Sequence, residues 1–173
     1  MMEIIDLYDH TRRRTGETWV RNTPLPQGRF RCVIHICVFN SGGQLLIQQR
    51  QNNARSFPQL WDVSVGGGVG QGESPQQAAS RELFEELGLT HDFSGAVPAI
   101  TVTFREGFDD FFIIHRDTAI EALRLQPQEV QNAQWATKEQ ILTMIDTGSF
   151  IPYRKSLIDL LFFLRDHKGV HDQ

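Results

Sequence analysis

Apolar positions along the chain fall into short runs separated by polar, glycine-bearing and proline-bearing stretches. Ile4–Tyr8 reads as a short edge strand. Residues 9–29 are polar and basic and carry Pro24 and Pro26, which predicts a loop or arm. Arg31–Phe39 is rich in β-branched residues and predicts a strand. Asn40-Ser41-Gly42-Gly43 then predicts a turn into a second strand over 44–49. Residues 51–59 are irregular, 62–65 suit a short strand, and a glycine-rich loop follows. Residues 97–104 and 110–115 predict a second hairpin, turning at Arg105-Glu106-Gly107, and 137–147 and 153–166 read as helices. Strands outnumber helices without alternating regularly with them, so the expected class is α+β, a mixed sheet flanked by helices.

Length and composition narrow this picture. The 173 residues suit one domain, 1–173, with its N-terminal strand and arm in 1–29. Hydrophobic content of 40% and charged content of 22% are those of an ordinary globular protein. The net charge of −4 offers no electrostatic footprint for a nucleic-acid polymer, and a polyanionic substrate would need local cations to enter. Cys32 and Cys37 stand five apart in one apolar segment, which suits neither a disulfide nor a zinc pair. No basic region precedes an apolar stretch at the N-terminus, and no apolar run is long enough for a bilayer. The expectation is a cytoplasmic protein with no membrane partner, for which a homodimer is compatible.

The chemistry is concentrated in residues 66–89. Ser74 suits a helix N-cap, Pro75 the first helical position, Gln77 a capping box and Gly88 the C-terminal stop. On that helix Glu82, Glu85 and Glu86 stand at i, i+3 and i+4 and share a face, while Leu83 and Leu87 turn towards a core. Like charges at those spacings cost roughly 0.2–0.5 kcal/mol per pair, and the helix dipole disfavours Glu85 and Glu86 in the last turn. Arg81 offsets only part of this. A carboxylate cluster set against local preference points to a bound cation. Oxygen ligands suit Mg²⁺ or Mn²⁺. Five of the seven residues 66–72 are glycine, so the backbone can approach a ligand closely.

The series Gly67, five residues, Glu73, seven residues, Arg81-Glu82-Leu83, one residue, Glu85-Glu86, one residue, Gly88-Leu89 resembles the complete Nudix box, here spanning 67–89. The resemblance implies an α/β/α sandwich around a mixed sheet, with Trp135 in a later strand. It implies a diphosphate-cleaving hydrolase acting on a nucleoside diphosphate derivative or related organic diphosphate. Glu82, Glu85, Glu86 and the Gly67 carbonyl would bind Mg²⁺, or Mn²⁺. Arg81 would orient Glu82, and Glu73 would anchor the motif through Arg81. The general base varies across the family; Glu129, Asp109 and Asp110 are the candidates. Arg50 and Arg55 flank a loop near the expected site and could neutralise phosphate oxygens. Trp61 and Phe57 suit core or pocket wall, and His35, in an apolar strand, suits a structural role.

Two other readings stand beside the hydrolase. The chain is similar to the metal-dependent isopentenyl diphosphate isomerase in its arm, its 50–61 loop and Glu129-Val130 ahead of Trp135. The cysteine and histidine which that enzyme needs fall at Gly66 and Gly68, and a further metal histidine falls at Arg31, so the resemblance favours an isomerase-like subgroup of hydrolases. A non-catalytic ligand-binding module of the same family would typically have lost box glutamates, and none is lost.

Overall fold

The fold, a computed structural model, is built on β3 (Arg31–Phe39), which pairs parallel with β8 (Gly107–His115) over its whole length. Six of the nine β3 side chains are buried and the other three half-buried, which explains its largely apolar character. Around it, in chain order, stand β1 (Ile4–Tyr8), β2 (Arg14–Val20), β4 (Leu45–Arg50), β5 (Trp61–Asp62), β6 (Val65–Gly68), α1 (Pro75–Leu87), β7 (Ile100–Phe104), β9 (Val130–Ala136), α2 (Lys138–Asp146) and α3 (Lys155–Leu164). Residues 3–169 and 171 are described. Met1 and Met2, part of the N-terminus read as no signal peptide, lie outside them, as do 170, 172 and 173 at the end of the expected domain.

The main sheet runs β5-β4-β3-β8-β7, with β6 added to β3 and β9 to β4. One face buries Ile34, Ile36 and Val38 against Ala79, Leu83 and Leu87 of α1. The other buries Cys37, Phe39 and Ile47 against Ile141 of α2 and Ile158 and Leu161 of α3. This is the expected α+β arrangement, a mixed sheet between helical layers. The two cysteines lie in opposite cores, and both are free.

Three expectations need correction. The arm over 9–29 is not all loop: β2 lies within it and pairs antiparallel with β1 as a separate two-stranded sheet. The hairpin of β3 and β4 is paired only at Phe39 and Leu45. Beyond that point Ser64 fills the fork: its buried Oγ accepts from the Val38 N–H (2.9 Å) and donates to the Leu46 carbonyl (2.5 Å). The strand expected at 62–65 is two strands divided at Val63-Ser64, β5 on β4 and β6 on β3. Gly66, Gly67 and Gly68 therefore belong to a strand rather than a loop.

The helices follow their caps. Ser74 Oγ accepts from the Gln77 N–H while Gln77 Oε1 accepts from the Ser74 N–H, and Gly88 closes α1 at φ 69°, a left-handed turn that favours glycine. Thr137 and Gln140 form the same box at α2.

Candidate active site

Arg81 organises the start of the site. Its Nε and Nη2 donate to the two carboxylate oxygens of Glu73 at 2.7 and 2.8 Å, a bidentate fork. Nη2 also donates to the Gly68 carbonyl (3.1 Å), and Nη1 to Glu82 (2.7 Å) and Glu85 (3.1 Å). Glu73 in turn accepts from the Gly70 N–H, and its carboxyl is held below the usual range chiefly by Arg81. The glycine loop is thus tied to the middle of α1. Gly67 is held to its residue type by Glu82: a Cβ there would lie 2.2 Å from the Glu82 carboxyl carbon.

Glu82 and Glu86 are not on a solvated face. They are 8% and 2% exposed, with Leu83 and Leu87 buried beside them, while Glu85 and Phe84 stay outside. Burial pushes the Glu82 carboxyl up to about 7, an effect Arg81 opposes and the charges of Glu129 and Glu85 increase. Glu86 is raised well above the ordinary range by burial, then by Glu82, Glu129 and Asp62. Its direct partner is Gln48 of β4, whose Nε2 donates to it at 2.6 Å.

Glu129 arrives from the segment just ahead of β9, the strand that pairs with β4. The Gln126 N–H donates to the Glu86 carbonyl (3.0 Å), and the Gln51 N–H donates to the Glu129 carbonyl (2.9 Å). Gln51 Nε2 adds a bond to the Pro127 carbonyl. Two adjoining clefts meet here. One, of about 750 Å³, is lined by Gln48, Arg50, Arg55, Glu86 and Glu129, and the other by Gly67, Arg50, Glu82, Glu85 and Glu129. Arg50 is fixed in both by the Ser56 carbonyl and by buried Asp62.

The remaining sequence candidates separate from this centre. Asp110 is fully buried in an ion pair with Arg12 and accepts from Thr101, and Asp109 faces His35; neither lines either of these two clefts. His35 stacks on Phe111 at 4.5 Å, but its Nδ1 has no partner, so it is only half satisfied. Trp61 packs into the α2/α3 core, whereas Phe57 is exposed, in a loop where its own φ is 51°. Sequence reasoning missed the N-terminal hairpin as part of the site. Asp6 accepts from the Gly72 N–H (2.9 Å), Arg14 donates to the Glu73 carbonyl, and Glu3 and Arg21 line both clefts. It also missed Gln48. The available signal was its place two residues from Leu46, on the inward face of a strand.

The NUDIX domain model matches residues 28–156. The chain belongs to the Nudix family. It is 42% identical over 170 residues to a protein of Listeria monocytogenes described as an uncharacterized Nudix hydrolase, covering 98% of this chain and 99% of that one. A crystal structure from Deinococcus radiodurans superposes with a TM-score of 0.73 at 27% identity, covering 92% of this chain and 97% of that one. An isopentenyl-diphosphate Delta-isomerase of Nocardia farcinica is 24% identical over 165 residues, 90% of this chain and 93% of that one. As a Nudix hydrolase this protein is a pyrophosphohydrolase, an enzyme of a family that generally uses divalent metal ions.

The Nudix box residues present here fit such an ion. Glu82 and Glu86 are buried carboxylates that repel one another, and the buried Gln48 Oε1 has no partner. The donor set around them is all oxygen, as hard cations prefer. Among the described residues no three His, Cys, Asp or Glu side chains form a ready cage. Arg81 and Gln48 hold the carboxylates instead.

Proposed function

We propose that the enzyme is a Mg²⁺-dependent hydrolase, with Mn²⁺ as an alternative ion, that cleaves a diphosphate linkage in a nucleoside diphosphate derivative or related organic diphosphate. The juxtaposition of Glu82, Glu86 and Glu129 with Arg50 and Arg55 across adjoining clefts carries this reading. Acidic groups gathered at a cleft, two of them buried, suit a hard cation, and guanidinium groups beside them suit phosphate oxygens.

In this reading Glu82, Glu85, Glu86 and the Gly67 carbonyl hold the ion, and Arg81 keeps Glu82 in place. A divalent ion bound there polarises the phosphoryl oxygens and acidifies water. Glu129, an exposed acid that lines both clefts, takes the proton from the attacking water. The water oxygen bonds to phosphorus, the bridging P–O bond breaks, and Arg50 and Arg55 neutralise the departing phosphate. Residues 1–173 act as one domain. The two free, buried thiols suit the reducing cytoplasm.

The likeness to the isomerase supports a place near that subgroup, but its chemistry requires positioned acid and base groups. Gly66 and Gly68 have no side chains to supply them. The test is a panel of nucleoside and non-nucleotide diphosphates incubated with Mg²⁺, together with isopentenyl diphosphate in deuterated water. Phosphate-containing product should appear with some member and vanish with chelator, and no deuterium should enter the isopentenyl carbons. Cleavage that survives excess chelator, or rapid deuterium exchange, would overturn the reading.

A further inference from the structure

Gln48 is 3% exposed, on a strand whose other buried positions are apolar, yet it lines the cleft of about 750 Å³. Its Nε2 donates to Glu86 at 2.6 Å. Its Oε1 is buried and has no partner. Turning the amide over would only exchange one unpartnered atom for another, because an amide carries a donor nitrogen and an acceptor oxygen. A buried acceptor left unmade costs about 1–3 kcal/mol, so a packed glutamine here is disfavoured unless some donor completes it. Its partner Glu86 is itself pressed by the charges of Glu82, Glu129 and Asp62, and when ionised all four acids can only accept. None can satisfy Oε1 in that state.

A cation held by acidic groups brings its own donors, because Mg²⁺ keeps several of its waters. We propose that Gln48 is a positioning residue for the metal centre: Nε2 fixes the Glu86 carboxylate and Oε1 accepts a hydrogen bond from a water of the bound ion. This rests on the cation site proposed above. Gln48 would then favour the metal-bound arrangement over the metal-free ionised one, since with the carboxylates ionised only the former pairs both ends of its amide. Partners beyond the ligands themselves typically alter metal affinity about 10–100-fold.

The test is an electron paramagnetic resonance titration of Mn²⁺ into substrate-free protein, comparing wild type with Gln48→Met and Gln48→Leu, alongside metal-free thermal unfolding. Methionine fills the same unbranched volume without a polar group. The expected result is a Kd for Mn²⁺ raised about tenfold or more in both variants, with metal-free Tm kept or raised. A wild-type Kd in folded variants would overturn the Gln48 proposal while leaving the metal site standing. A drop in metal-free Tm with unchanged Kd would assign Gln48 a packing role and overturn it likewise. Failure of the wild type to bind Mn²⁺ would overturn both.

Discussion

Arg81 and Glu86 show two ways of keeping carboxylates close together. Glu73, Glu82 and Glu85 share one guanidinium, whose positive charge answers theirs at 2.7–3.1 Å. Glu86 has no such partner; its neighbours are an amide and other acids. It is therefore the position where removing charge should most relieve the metal-free protein. Glu86→Gln should cost turnover a factor of about 10² or more, as loss of a transition-state electrostatic group does. The same variant should melt higher than wild type in chelator, by a margin that shrinks as pH falls and the wild-type carboxyl takes up its proton. Steady-state kinetics and calorimetry read the two effects separately. Near-wild-type turnover, on a substrate drawn from the diphosphate panel, would defeat the assignment of Glu86.

At the level of elements, legibility followed how much each one is governed by its own residues. Helix α1 was readable to its ends because Ser74, Pro75, Gln77 and Gly88 act locally. Strand β3 was readable because it is buried on both faces. Strand β2 was not, since Arg14, Gly16, Glu17 and Thr18 stay exposed and leave no alternation to see. The fork between β3 and β4 was invisible as well, because Ser64, eighteen residues from Leu46, sets it through two hydrogen bonds. Of the site, the box and Glu129 stood out by motif and type, whereas Gln48 and Asp6 carry chemistry only through distant partners. The β1–β2 hairpin buttresses the glycine loop through Asp6 to the Gly72 N–H and Arg14 to the Glu73 carbonyl. Asp6→Ala should therefore cost about 1 kcal/mol of stability and weaken Mn²⁺ binding by loosening that loop. Hydrogen exchange at the Gly72 amide should accelerate, and unchanged protection there would show that the hairpin does not brace the site.

For the whole molecule, burying Glu82 and Glu86 ties stability to pH in a definite direction. Both have folded-state affinities for protons above the unfolded value near 4.5, Glu82 reaching about 7 and Glu86 well raised. Between those limits the folded protein holds more protons than the unfolded chain, so its stability falls as pH rises. Glu73 is shifted the other way and acts on the acid side, below the usual carboxylate range, so it does not cancel this slope. For Glu82 alone the ceiling is about 3 kcal/mol, on the order of 10 °C in Tm for a chain of this size. A divalent ion held there would replace the missing protons with a stronger partner, and its affinity should increase over the same pH range as the ligands ionise. Calorimetry in chelator should therefore show Tm falling from pH 5 to pH 8, and excess Mg²⁺ should flatten or reverse that fall. A Tm independent of both pH and Mg²⁺ across this window would mean that the buried glutamates neither retain protons nor exchange them for metal.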